Sequence, residues 1–309
     1  MCYQRITLPL RYKIEALYEV GHSCAQIATQ LGVHRTTIGR ELERCTPYIA
    51  VSAQHDAEQQ RSRRHGPRLP ESVWVHITDR LQQCHSPEQI RGRCVLEGQF
   101  CPSVERIYQF VYAHPHLTPY LRRSRPHRRP HSERRTPPTL WTSIEQRPEA
   151  ANARQEIGHL EADLMEGAKG KGSLVVIADR CSRLLTLNLV GRKTATEVYA
   201  AMDSVLDGQW VKTITIDQGR EFVLTEALGE QWGATTYACH AHSPWEKGSV
   251  ENANGLLRQF FPKKTDFTQV DLSTVLAVQH ALNHRPRKVL GYCTPYEVHS
   301  NHQTRALAT

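Results

Sequence analysis

Asp163, Asp217 and Glu251 are the residues of this 309-residue chain whose types and spacing could do chemistry together. Asp163 lies in an apolar stretch, GHLEADLM, residues 158–165; Asp217 closes VKTITID, residues 211–217; Glu251 follows SPWEKGSV, and 33 residues lie between Asp217 and Glu251. Three carboxylates brought together repel strongly unless cations neutralise them. Oxygen donors of this kind suit Mg²⁺ or Mn²⁺, with water and a substrate phosphate completing the coordination. Two such ions about 3.5–4 Å apart can activate an attacking oxygen and stabilise a leaving one in phosphodiester chemistry. Each acid also has a plainer reading. Asp217 before Gln218-Gly219 fits a strand-end turn, and Glu251 fits charge compensation in a first helical turn. Asp163 is harder to explain that way, because an acid inside an apolar strand needs a partner. Glu161 competes with it from the same face two residues earlier, and Asp179, Glu221 and Glu246 are weaker rivals.

The elements that must position these acids run β-β-β-α-β-α-β-α from residue 155. Strands are expected at 158–165, 173–180 and 183–190, the last two as a hairpin. A helix with a Thr194 N-cap follows at 194–206, then a strand at 211–217, a helical stretch at 221–232 and a short strand at 234–240. The pattern is a mixed α/β layer in which the first and fourth strands can be neighbours. The final helix, 248–261, places Val250, Ala253, Leu256, Leu257, Phe260 and Phe261 on one side. Packing that side on the sheet turns Glu251 towards both aspartates. Glu251, Asn254, Gly255 and Arg258 form a second stripe at its edge.

Upstream the chain reads as all-helical. Leu10, Ile14, Leu17 and Tyr18 mark an amphipathic helix stopped at Gly21. SCAQIATQLGVHRTTIGRELERC then has helix-turn-helix spacing: Ala28 where two helices cross, Gly32 at the turn, Ile38 as core anchor. That leaves His34, Arg35, Thr36, Thr37 and Arg40 for a DNA groove and its phosphates. A second helical unit contains Ser86-Pro87-Glu88-Gln89, an N-cap with Pro at N1 and a capping-box Gln. Its surface offers fewer basic residues, Arg91, Arg93 and Arg106, so protein packing and DNA contact both suit it. The expected organisation is a helix-turn-helix domain at 1–50, a second helical region at 65–115, a basic Pro/Arg linker at 116–150 and an α/β catalytic domain at 151–309. The linker carries seven arginines in 122–135, which suits phosphate tracking.

The formal net charge is +8 and the pI near 9.1, a balance that points to polyanionic partners. No apolar run approaches the length of a membrane span, and the first residues lack a signal-peptide pattern. The expectation is a soluble cytoplasmic protein with no membrane partner. Nine scattered cysteines, none in C-x-x-C spacing, do not suggest a disulfide framework. Cys239-His240-Ala241-His242 has no second ligand pair at finger spacing, so structural zinc is not expected.

On these residues the chain resembles DDE-type transposases of the insertion sequence thirty family. IATQLGVHRTTIGRELERC is similar to that family's DNA-binding helix-turn-helix, and SPEQIRGR with IYQFVY to its second helical segment. GHLEADL, DQGREF, SPWEKGSVENANGLLRQFFPKKTDF and LNHRPRKVLGYCTP resemble its catalytic signatures in order. Departures fall beside the acids: Gln218 and Val250 each stand where Asn is usual, and Leu160 where Trp is common. The resemblance implies a ribonuclease-H-like, integrase-like mixed sheet preceded by all-α DNA-binding regions, and favours Asp163 over Glu161 in the acidic triad. It further implies two Mg²⁺ or Mn²⁺ ions held by Asp163, Asp217 and Glu251. The partners would be double-stranded DNA, as terminal inverted repeats and target, bound by a homodimer or larger assembly on a bacterial nucleoid. Lys247, Asn254 and Arg258 are expected on the DNA-facing side near Glu251, with Lys263, Lys264, Arg285, Arg287 and Lys288 holding phosphates. A competing reading is a sequence-specific DNA-binding regulator with a decayed catalytic domain. A non-specific nuclease would have no use for two helical DNA-reading units.

Overall fold

Capping chemistry sets the first helices. In the computed structural model, which describes residues 6–64, 69–122, 142–240 and 243–307, α1 (Leu8–Glu19) begins with Pro in its first turn. Ser23 then opens α2 (Cys24–Leu31) with a reciprocal capping box to Gln26. Gly32 closes α2 at φ +66°, a left-handed conformation that suits glycine. The turn leads into α3 (Arg35–Leu42), and α4 (Ala50–Arg64) follows. Ile14, Ile27, Ala28, Ile38, Tyr48 and Ala53 are buried together, so the Ala28-Gly32-Ile38 spacing does place small, turn and anchor residues as expected. A buried ion pair ties α1 to α3: Arg11 Nε lies 2.7 Å from Glu41 Oε1, and Arg44 Nε lies 2.8 Å from Glu41 Oε2. Residues 1–71 form one compact unit and 72–309 another.

The second unit starts with α5 (Glu71–Gln82), α6 (Pro87–Leu96) and α7 (Val104–Ala113). Ser86 and Gln89 make the expected capping box. Ile77, Leu81, Ile90, Cys94, Ile107 and Val111 close over Leu117 of a following 3₁₀ turn, Pro115–Tyr120. Of the segment 116–150, read from the sequence as an extended linker, 123–141 lie outside the described residues. At its far end, β1 (Thr142–Ser143) pairs parallel with a later strand, and α8 (Glu149–Ala153) follows.

Then come β2 (His159–Glu166), β3 (Ser173–Asp179), β4 (Leu185–Val190), α9 (Ala195–Leu206), β5 (Thr213–Ile216), α10 (Thr225–Gln231), β6 (Thr235–Ala238) and α11 (Gly248–Leu257). Two more helices, α12 (Leu272–Asn283) and α13 (Pro295–Leu307), complete the chain's described part. The six strands lie in the order β1-β6-β5-β2-β3-β4, and β3 alone runs against the others. This is a mixed α/β sheet, as expected. Every residue of β3 is buried, because both faces of the sheet are covered. Val175 and Ile177 pack with Val198, Met202 and Leu206 of α9 and Leu228 of α10. Leu174, Val176 and Ala178 pack with Val250, Ala253 and Leu257 of α11 and Val275 and Leu282 of α12. The helical part of this unit docks on the segment joining α12 to α13 and on the first turn of α13. Arg93 makes a two-pronged contact to Glu297, both at 2.7 Å, and Gln89 Nε2 donates to Pro286 O at 2.8 Å.

Candidate active site

The parallel pairing of β2 with β5 sets Glu161 opposite Thr215. Asp163 lies two residues further along β2, and Asp217 directly follows the last residue of β5. The carboxylates are bridged by one ammonium: Lys247 Nζ lies 3.1 Å from Asp163 Oδ1 and 3.5 Å from Asp217 Oδ2. Lys247 also donates to Ala162 O at 3.3 Å. Burial opposes its charge, but the two aspartates outweigh that and hold the ammonium above its usual pKa. Asn254, about two turns along α11, donates from Nδ2 to Asp163 Oδ2 at 2.6 Å. Lys247 and Asn254, expected to face DNA, thus both turn to Asp163.

Glu251 lies on the exposed side of the same helix. It borders a groove of about 480 Å³ shared with Arg122, Asn254, Arg258 and Lys263. Arg258 donates to the main-chain carbonyls of Pro262 and Glu166 at 3.3 and 3.1 Å. Asp163 and Asp217 are therefore brought to one ammonium, whereas Glu251 lines the groove and is not gathered with them into one cluster among the described residues, contrary to the expectation that helix packing would turn it towards both. No three His, Cys, Asp or Glu side chains converge as a metal-holding cluster among the described residues. The donor set nonetheless suits a hard cation. Two carboxylates already share one positive charge, and Asn254 Oδ1 is buried with no hydrogen-bond partner among the described residues.

Glu161, the rival of Asp163, has a different place. It is wholly buried, pairs with Arg180, and accepts the backbone N–H groups of Ser249 and Val250 at 2.7 and 2.9 Å. Those are unpartnered donors of the first turn of α11, so a strand carboxylate caps the helix that carries Glu251. Sequence reading missed this role because the cap comes from about ninety residues away. Of the weaker rivals, Asp179 Oδ1 closes a turn through the N–H groups of Cys181 and Ser182. Glu221 pairs with Lys193, and Glu246 with His240, whose pKa it raises. Cys239 is buried, which pushes its thiol up to about 12, while residues 241–242 lie outside the described residues.

In the first unit, α3 presents Arg35, Thr36 and Arg40 on its exposed side, with Thr37 half-buried. His34 is the N-cap, its Nδ1 accepting the Thr36 N–H at 3.3 Å. In the second unit Arg91, Arg93 and Arg106, the arginines singled out in the helical region, are engaged internally. Arg93 holds Glu97 and Glu297, Arg91 donates to Cys101 O, and Arg106 lies over the Trp74 ring. Arg285 and Arg287, read as phosphate holders, are 3% and 8% exposed. Arg285 donates to Gln259 and Arg287 to Leu282 O. Lys288 pairs with Glu88.

Two aspartates, one within β2 and one just past β5, meeting at a single ammonium, with a helix-turn-helix in the same chain, fit a DNA-acting enzyme. A helix-turn-helix domain family matches residues 2–45. Over 95% of both chains, the sequence is 32% identical to the transposase for insertion sequence element IS4351 of Bacteroides fragilis. It is 33% identical to the transposase for IS1086 of Cupriavidus metallidurans, over 96% of this chain and 94% of the relative. It is also 33% identical to transposase InsI for IS30C of Escherichia coli K12, over 95% of this chain and 82% of the relative. The catalytic core domain of BIV integrase aligns with 48% of this chain and 97% of its own at 20% identity and a TM-score of 0.38. The chain belongs to the insertion sequence thirty family of transposases. It is a DNA transposase, an enzyme of the DDE nucleotidyl-transfer type.

Proposed function

We propose that the chain binds the terminal inverted repeats of an insertion sequence through α3 and carries out metal-dependent strand cleavage and strand transfer at Asp163, Asp217 and Glu251. The observation that supports this reading is the meeting of Asp163 and Asp217 at one ammonium, that of Lys247. Divalent metal, when bound there, supplies the charge that activates an attacking oxygen and stabilises a leaving one. Asp163 and Asp217 would hold it, with Glu251 as the third ligand. Asn254 orients the Asp163 carboxylate through its Oδ2. Lys263 and Arg122, bordering the groove with Glu251, offer positive charge to a DNA phosphate. Arg35, Thr36 and Arg40 supply the outward polar surface of α3. Synapsis of two DNA ends calls for at least two copies of the chain on DNA. No observation favours a regulator with a decayed catalytic domain, since the relatives match both halves of the chain.

The test is strand cleavage and transfer on inverted-repeat DNA with Mg²⁺ by Asp163→Asn, Asp217→Asn and Glu251→Gln proteins. Each should lose roughly a thousandfold or more in rate while retaining DNA binding in a gel shift. Undiminished activity in any one removes that residue from the ligand set.

A further inference from the structure

Lys247 occupies an unusual position for its side chain. It is the N-cap of α11, where a side chain ordinarily accepts a helix N–H. An ammonium cannot accept, and the positive end of the helix dipole disfavours a cation there. Glu161 removes the first difficulty by accepting the Ser249 and Val250 N–H groups from β2. The second is offset by Asp163 and Asp217, which the Lys247 ammonium meets at 3.1 and 3.5 Å. Lys247 is 8% exposed, so it is a built part of the site.

The ammonium occupies Asp163 Oδ1 and Asp217 Oδ2, so a divalent cation held by these two carboxylates would have to compete with it. We propose that Lys247 is the metal-free counter-ion of the aspartate pair: it holds the two carboxylates together and surrenders them when a divalent cation binds. The proposal rests on the reading of Asp163 and Asp217 as metal ligands. The other Asp163 oxygen stays on Asn254 Nδ2 at 2.6 Å, so the carboxylate keeps its orientation when the ammonium leaves. A lysine that merely supported the site would weaken metal binding when neutralised, whereas a competitor strengthens it.

The experiment titrates Mn²⁺ into the full chain without DNA and follows loss of the free-ion electron paramagnetic resonance signal. Lys247→Gln should bind Mn²⁺ roughly tenfold more tightly than the native chain, because a close like charge is removed. Lys247→Arg, which keeps the cation, should bind as the native chain does. Adding Asp163→Asn to Lys247→Gln should abolish the gain. A Lys247→Gln affinity equal to or below native overturns the counter-ion proposal and leaves the ligand reading intact. Mn²⁺ binding that is indifferent to Asp163→Asn and Asp217→Asn in both backgrounds overturns the ligand reading, and the proposal with it. Should Lys247→Gln fail to fold, the native chain serves. Acetylation followed by peptide mass spectrometry should find the Lys247 amine protected without Mn²⁺ and reactive with it. Equal protection in both overturns the proposal.

Discussion

The Val250 backbone N–H donates to the buried Glu161 carboxylate at 2.9 Å, which ties the residue before Glu251 to the strand that carries Asp163. The Val250 side chain points the other way, into the core between α11 and the sheet. Its departure from the family's usual Asn therefore alters packing and leaves this hydrogen bond in place, since the donor is main chain.

Removing the Glu161 carboxylate should be costly. Glu161→Ala leaves the Arg180 guanidinium and two helix N–H groups buried without their acceptor, a loss of about 3–5 kcal/mol by the usual cost of breaking a buried pair. Urea unfolding measures it. Arg180→Met in the Glu161→Ala background should cost at least about 1 kcal/mol less than alone; additive losses would show that the two do not act as a unit.

His85 should make stability pH-dependent in mildly acid solution. Burial, reinforced by Arg285, Arg80, Arg287 and Arg93, lowers its pKa to about 3. The unfolded chain takes up a proton near pH 6.5 and the folded chain does not. Stability is thus full above about pH 6.5 and falls as pH drops towards 3, by up to about 1.4 kcal/mol per pH unit. His85→Leu should flatten that slope in unfolding curves recorded from pH 7 to 4, and an unchanged slope would assign it to other groups.

Gly92 marks where α6 meets the segment before α13. A Cβ there would come within 2.3 Å of the Tyr292 ring. Gly92→Ala should therefore lower stability by about 1–3 kcal/mol through overpacking. Amide exchange should quicken around Arg93 and Glu297, whose ion pair bridges the same junction. Native exchange rates there would show that Tyr292 moves aside freely.

Arg40 is exposed on α3, where the proposed DNA binding would make it a phosphate contact. Arg40→Ala should weaken binding to specific and unrelated duplexes by similar factors and reduce the salt slope by about one. A loss confined to one sequence would instead make Arg40 a base reader.

Much of this protein was legible in its sequence, for physical reasons that differ by element. The α2–α3 unit was readable because Ser23, Ala28, Gly32 and Ile38 act locally, through capping, crossing and turn geometry. The hairpin of β3 and β4 and the Thr194 cap of α9 were readable for the same reason. Less local features were not. The helix carrying Glu251, read as far as 261, ends at Leu257. The residue before Pro262 is pushed out of helical geometry, and Phe261 packs instead on Phe267, ring centres 5.6 Å apart. Strand β1 has two residues, too few to show a period.

The sequence alone determined which residue types were available for chemistry and which short elements would carry them, because periodicity, capping and turn preference depend on neighbours a few residues apart. The tertiary structure decided what those residues do. Asp163 and Asp217 meet because β2 and β5 pair in parallel across about fifty residues of chain. Glu161 became a helix cap, Lys247 a bridge between aspartates, and Arg285 and Arg287 buried donors. Each outcome depends on which partner a long side chain reaches after the sheet has closed, and spacing along the chain carries no record of that.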